Sequence, residues 1–172
     1  MAKKELLTGE QRENILELNQ LSEFEFASYY SLSDDDIDVI NHHRRDSNRL
    51  GFAIQLCLVR YSGCTLRNIK KVPQDLIQYV SDQINVDSDV FSSYATRNTT
   101  KREHLEEIRQ IYGYKNFDNY YSERIFKTLI QNAQENNNAL FLIQTAINLL
   151  RDDKIILPTI LTIEKLVSSA RK

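Results

Sequence analysis

Tryptophan is absent from the 172 residues, and proline, cysteine, histidine and glycine number only 2, 2, 3 and 4. So little proline and glycine excludes a turn-rich sandwich or barrel and a floppy linker, and favours long helices with short connections. The two cysteines, Cys57 and Cys64, stand in neither a metal-ligand nor a CxxC spacing. They read as reduced thiols of an intracellular protein, with Cys57 in a core. His42 and His43 are adjacent and cannot share a helix face, so no structural or catalytic metal is expected. There is no GxSxG nucleophile signature and no glycine-rich phosphate loop, which argues against an enzyme and against a cofactor. No apolar run is long enough to cross a bilayer, and the opening MAKKELL is too short and charged for a secretory signal. A cytoplasmic protein is expected.

What is present is a strongly apolar centre, residues 48–61 (NRLGFAIQLCLVRY). The 50/54/57/61 spacing marks one helical face and 52/56/59 widens it, leaving only Gln55 and Arg60 as clear interruptions. A helix apolar nearly all round is buried on several sides, so this stretch is expected to be the central helix of the fold. Around it the chain reads as a succession of helices. Thr8 with Gln11 suits a capping box for a helix within 5–19, carrying Ile15, Leu16 and Leu18, and Ser22 opens a second. Ser33 followed by Asp34, Asp35 and Asp36 starts a third, its carboxylates favoured by the helix macrodipole. Helices follow at 74–85 after Pro73, at 88–95, and at 100–112 with Thr99 or Thr100 as cap and Gly113 as stop. Further helices span 119–135 and 139–150, the latter capped within Asn136–Asn138, and a last one opens at Thr159 or Thr162.

The fold class is therefore all-α, with compact helical bundle units and helix-turn-helix-like arrangements. A first helical domain is expected over 1–115 and a second helical unit over 116–172.

The net charge of −2 does not announce a nucleic-acid binder, but its distribution is uneven. Asp34, Asp35, Asp36 and Asp38 form an acidic patch, read here as helix capping. It is followed by Arg44, Arg45, Arg49, Arg60, Arg67, Lys70 and Lys71. A local basic stripe contacts phosphates even when the whole domain is near neutral, although a solvated helix face has the same composition. Arg97, Asn98, Thr99, Thr100, Lys101 and Arg102 gather around a helix start, where backbone donors hold phosphate and Asn, Thr and Arg side chains reach base edges. Arg109 lies on the same side, seven residues beyond Arg102. The bland alternative is a capped surface helix balanced by Glu103, Glu106 and Glu107. Arg44, Arg45 and Arg49 form a second candidate cluster, with Arg49 alternatively pairing with the acidic patch as an internal clamp.

These residues carry a resemblance. The chain resembles the amino-terminal region of the Tn3-family transposases at Leu7-Thr8 with Gln11-Arg12, at Tyr29-Tyr30-Ser31-Leu32-Ser33 with Asp36, and at Asn48 to Tyr61. The likeness continues at Tyr94-Ala95 with Arg97 and Thr100, at Arg102-Glu103-His104-Leu105, at Tyr112-Gly113-Tyr114, at Leu150-Arg151, at Ile156-Leu157-Pro158, and at Thr162 with Glu164-Lys165-Leu166. It departs at Ser62, where relatives often carry proline after the tyrosine. The resemblance implies a bacterial, non-catalytic segment that binds double-stranded DNA at the terminal inverted repeats, with self-association in a paired-end complex. The RNase H-like catalytic domain with its metal-binding acidic residues would lie in a distant carboxy-terminal part. It also implies that Arg97, Thr100, Lys101, Arg102 and His104 lie nearest the DNA, with Arg49, Arg60 and Arg151 as further basic positions of the pattern. The main alternative is a helical protein-interaction domain with an exposed apolar face on 139–150 or 160–168.

Overall fold

The computed structural model describes residues 6–16, 21–69, 71–94, 96 and 98–172. Among the described residues the chain is all α-helical, without a strand. It runs through α1 (Gly9–Ile15), α2 (Glu23–Tyr30), α3 (Asp34–Asn41), α4 (Asp46–Ser62) and α5 (Gln74–Ile84). A 3-10 helix (Ser88–Ser93) then leads to α6 (Asn98–Tyr112), α7 (Asn119–Glu135), α8 (Ala139–Asp152) and α9 (Ile160–Ala170).

The helix starts follow local chemistry. Thr8, Ser22 and Ser33 each accept a hydrogen bond from the backbone three residues on, and Gln11, Glu25 and Asp36 return it, giving three capping boxes. Asn138 caps α8 and Thr159 caps α9, which settles two open choices in the sequence. Two expectations need correction. The segment read as a helix over 88–95 is a 3-10 helix over Ser88–Ser93, opened by Asp87 accepting from the Asp89 amide. Its last residue, Ala95, lies outside the described residues, as does Leu18, which the sequence assigns to the first helix. α6 begins at Asn98, so Thr99 and Thr100 lie inside its first turn rather than before it. That turn is held from α4, where Gln55 Nε2 donates to the Lys101 carbonyl at 3.2 Å.

α4 is the centre. Every residue from Leu50 to Val59 is buried, and α2, α3, α5, the 3-10 helix and α6 all pack on it. Leu50, Phe52, Ile54, Leu56 and Leu58 are wholly inside, each contributing roughly 1.5–3 kcal/mol of transfer free energy. A second core joins α7, α8 and α9 through Leu129, Leu142, Ile147 and Ile163. α1 belongs to this second core through Leu7, Ile15 and Leu16, although α9 closes it from the far end of the chain. Glu164 on α9 fixes α1: it accepts from the Leu7 amide at 3.3 Å and from Arg12 Nη2 at 2.9 Å.

The two cores are stitched together by backbone. Lys115 and Ile155 form an isolated parallel bridge, with the Lys115 amide donating to Lys154 O and the Ile156 amide to Lys115 O, both at 2.9 Å. At the end of α4, Gly63 turns the chain with φ +71°, and its carbonyl accepts from the Leu157 amide at 2.9 Å. Arg151 Nε donates to the Ser62 carbonyl at 2.7 Å beside it. The loop that follows α4 is thereby anchored to the α8–α9 connection.

Candidate nucleic-acid interface

The arginines separate into those used inside the fold and those left at its surface. Arg60 grips buried Asp36 with two hydrogen bonds, at 2.8 and 2.7 Å, and Tyr112 donates its hydroxyl to the same carboxylate at 2.9 Å. The clamp on the acidic patch is thus Arg60, not Arg49. Arg49 instead donates through Nε to the His43 carbonyl at 2.8 Å and meets Asp46 at 3.3 Å, closing the turn into its own helix. The reason is position along α4: eleven residues bring Arg60 to nearly the same helical phase as Arg49 but about 16 Å further along the axis, level with Asp36, whereas Arg49 sits beside the α3–α4 turn. Arg109 is held by Glu106, one turn back on α6, including Nε to Oε2 at 2.9 Å. Arg151 serves the Ser62 carbonyl.

Arg44 and Arg45 are exposed in the bend before α4, and Arg45 makes no side-chain capping bond there. Asn98 and Arg102 are exposed on the first turns of α6, and Thr100 and Lys101 are half-buried. Arg97 and Lys70 lie outside the described residues. Asn98, Lys101 and Arg102 meet around one cavity of about 350 Å³, whose wall also contains Arg67, Thr65 and Gln55. Among the described residues, Lys101 and Arg102 enter none of the ion pairs.

His104 is turned inward. Its Nδ1 lies 2.7 Å from the Tyr94 hydroxyl, and its ring packs against His43 and Phe52. Burial, assisted by the neighbouring His43, pushes its pKa down to about 4, so the ring is neutral near pH 7. Gln55 completes the network by donating Nε2 to the Tyr94 hydroxyl at 2.7 Å. In the sequence Gln55 is only an interruption of an apolar run. In the fold it is 2% exposed and links α4, the 3-10 segment and α6. A buried amide needs partners, and that requirement is the signal by which it was findable. Gly51 makes the approach possible: a Cβ there would overlap the Tyr94 ring.

The result is a first turn of α6 fixed from beneath by Gln55, Tyr94 and His104, with Asn98, Lys101 and Arg102 around its outer side. Positive charge on a rigid turn, beside amide and hydroxyl groups, is chemically suited to phosphate oxygens and base edges. Among the described residues, no group of three or more His, Cys, Asp or Glu is placed to hold a metal ion. No helix among them is long and apolar enough to cross a membrane.

A family model described as a domain of unknown function, DUF4158, matches residues 6–170. The chain belongs to the DUF4158 family. This DUF4158 chain is similar to the transposase for transposon Tn1546 of Enterococcus faecium, 40% identical over 168 residues. It is also similar to the transposase for transposon Tn501 of Pseudomonas aeruginosa, 32% identical over 170 residues, and to that for transposon gamma-delta of Escherichia coli, 32% identical over 174 residues. These matches cover 98%, 99% and 98% of the chain but only 17% of each relative. The DUF4158 chain is thus homologous to one segment of much longer transposases.

Proposed function

We propose that this chain binds double-stranded DNA, recognising the terminal inverted repeats of a Tn3-family transposon as a non-catalytic part of a transposase. The observation that carries the reading is the cation pair Lys101–Arg102, in no ion pair among the described residues, on a turn of α6 locked to α4. The similarity to bacterial transposases over nearly the whole chain supports it. In this reading α6 is the recognition helix of a helix-turn-helix-like arrangement. Asn98, Thr100 and Arg102 address base edges in the major groove, and Lys101, Arg44 and Arg45 hold phosphates. His104 positions α6 from inside. Residues 1–115 make the principal DNA-binding unit and 116–172 a second helical unit, in a bacterial cytoplasmic protein that needs no cofactor.

The test is fluorescence anisotropy with labelled terminal-repeat duplex and scrambled duplex at controlled salt. The wild type should prefer the repeat and weaken steeply as salt rises. Lys101→Ala with Arg102→Ala should reduce repeat affinity by about tenfold or more, since each lost contact costs roughly 1–3 kcal/mol. Unchanged affinity for both duplexes, with an unchanged melting temperature, overturns the assignment to α6.

A second reading, association with another protein or a second copy, has one observation in its favour. Leu140 and Phe141 at the start of α8 and Leu161 on α9 are 40%, 43% and 55% exposed. Sedimentation of the chain, alone and with Phe141→Glu, tests it: a monomer at all concentrations removes self-association by this face.

A further inference from the structure

Three adjoining cavities open over the α4–α5 loop, of about 350, 350 and 540 Å³, and Arg67 lines all of them. Thr65 and Leu105 are common to two of the three, and Asn68 and Thr159 join the third. Among the described residues, the cationic side chains in these walls are Arg12, Arg67, Lys71, Lys101 and Arg102, against a single carboxylate, Glu13. That imbalance arises in a chain whose net charge is −2. Arg12 is committed to Glu164. The other four enter none of the ion pairs among the described residues, and Arg67, Lys71 and Arg102 are exposed.

The loop that carries Arg67 is built, not merely exposed. Thr65 is buried and donates its amide to Asn68 Oδ1 at 2.8 Å. The Asn68 amide donates to the Thr65 carbonyl at 3.0 Å, and the Arg67 amide to Thr65 Oγ1 at 3.3 Å. Asn68 Nδ2 then crosses to the Pro158 carbonyl at 2.8 Å, fastening the turn to the α8–α9 connection. The backbone of Arg67 is therefore fixed before any ligand arrives, which lowers the ordering cost of binding.

We propose that a DNA phosphodiester backbone lies in this trench, with Arg67 at its centre, Lys71 towards α5, and Lys101 and Arg102 towards α6. This rests on the reading of the chain as a DNA-binding module and adds phosphate-holding residues to it. A small anion is bound by donors converging on one point, whereas these cations are spread through successive cavities, the arrangement that suits a repeating polyanion. Their role is to hold the strand in register, so that the outward side chains of α6 meet base edges.

The test is the salt dependence of anisotropy for the full chain on repeat and scrambled duplexes, between about 50 and 200 mM salt. Arg67→Gln with Lys71→Gln is compared with Lys127→Gln with Lys165→Gln, which removes equal charge from exposed positions on α7 and α9. Loss of two phosphate contacts should lower the slope of log affinity against log salt by about 2, making the weakening over that range about tenfold smaller. Affinity should fall by a similar factor on both duplexes, as befits contacts that carry no sequence information. Melting temperatures should match the wild type. If the trench variant behaves like the α7/α9 variant while the wild type binds the repeat, the trench is overturned and DNA binding stands. If the wild type binds neither duplex, the DNA-binding reading falls and the trench with it.

Discussion

Arg60 and Asp36 form a two-pronged ion pair that ties the middle of the fold to the start of α3, with Nη1 at 2.8 Å from Oδ2 and Nη2 at 2.7 Å from Oδ1. The Asp36 side chain is almost wholly buried, while Arg60 keeps about a third of its surface in water. Tyr112 reaches the same carboxylate from the end of α6 and also lies 5.2 Å beneath the Arg60 guanidinium. Three helices thus meet on one side chain.

Replacing Asp36 by alanine should destabilise the fold strongly, because it strands Arg60 and removes the capping partner of Ser33. Breaking a fully buried pair costs about 3–5 kcal/mol, and the exposed part of Arg60 reduces this to roughly 2–3 kcal/mol. The midpoint of urea unfolding measures it. A loss below about 1 kcal/mol would mark the pair as an ordinary surface contact.

Acid should act in two separate windows. The His104 ring, held by burial and by His43 at a pKa of about 4, takes up its proton later than it does in the unfolded chain, at about 6.5. Between these values the unfolded state binds the extra proton, so stability falls as pH drops from about 6.5 to 4. Burial alone would raise the Asp36 carboxyl, but hydrogen bonds from Arg60, the Ser33 backbone and Tyr112, with the Arg60 charge, outweigh it and hold it well below the carboxylate range. Its stabilisation is full above the unfolded value of about 3.9 and is lost as pH falls below that. Melting temperatures across pH should show both slopes. His104→Gln, which keeps a polar group beside Tyr94, should flatten the upper one alone.

Gly51→Ala should disturb the interface without touching it. Its methyl group meets the buried Tyr94 ring, and overpacking of this kind costs about 1–3 kcal/mol. Because Tyr94 bridges Gln55 and His104, the expected readout is double: a lower melting temperature and weaker DNA binding. Normal binding at a temperature where the variant is fully folded would separate the network from the interface.

Both thiols should be silent in the native protein. Burial pushes the Cys57 thiol up to about 12 and raises Cys64 as well, and neither takes part in a disulfide. Ellman's reagent should therefore react only as the chain unfolds, with a rate that follows denaturant.

Much of the helical plan was legible because it is local. Thr8, Ser22 and Ser33 announce their helices through partners three residues away, and α4 announces its burial by the scarcity of polar residues. What was not legible depends on how helices turn toward one another. Asp36 and Arg60 stand 24 residues apart, and nothing local favours Arg60 over Arg49 as the clamp. His104 sits among basic residues in the sequence, yet its ring faces inward because Tyr94 and His43 converge on it. Arg67 reads as one charge in a basic run. Its place at the junction of three cavities is set by Asn68 reaching Pro158, 90 residues away.

The pairing of Arg12 with Glu164 spans 152 residues and has a consequence for synthesis. α1 leaves the ribosome long before the helix that covers it. At bacterial-scale elongation rates the apolar side carrying Leu7, Ile15 and Leu16 waits roughly 10–30 s for α9. During that interval it stays uncovered, whereas the α4 core, whose buried residues other than Ile156 have all been made once Ile108 is added, is the part free to begin folding first.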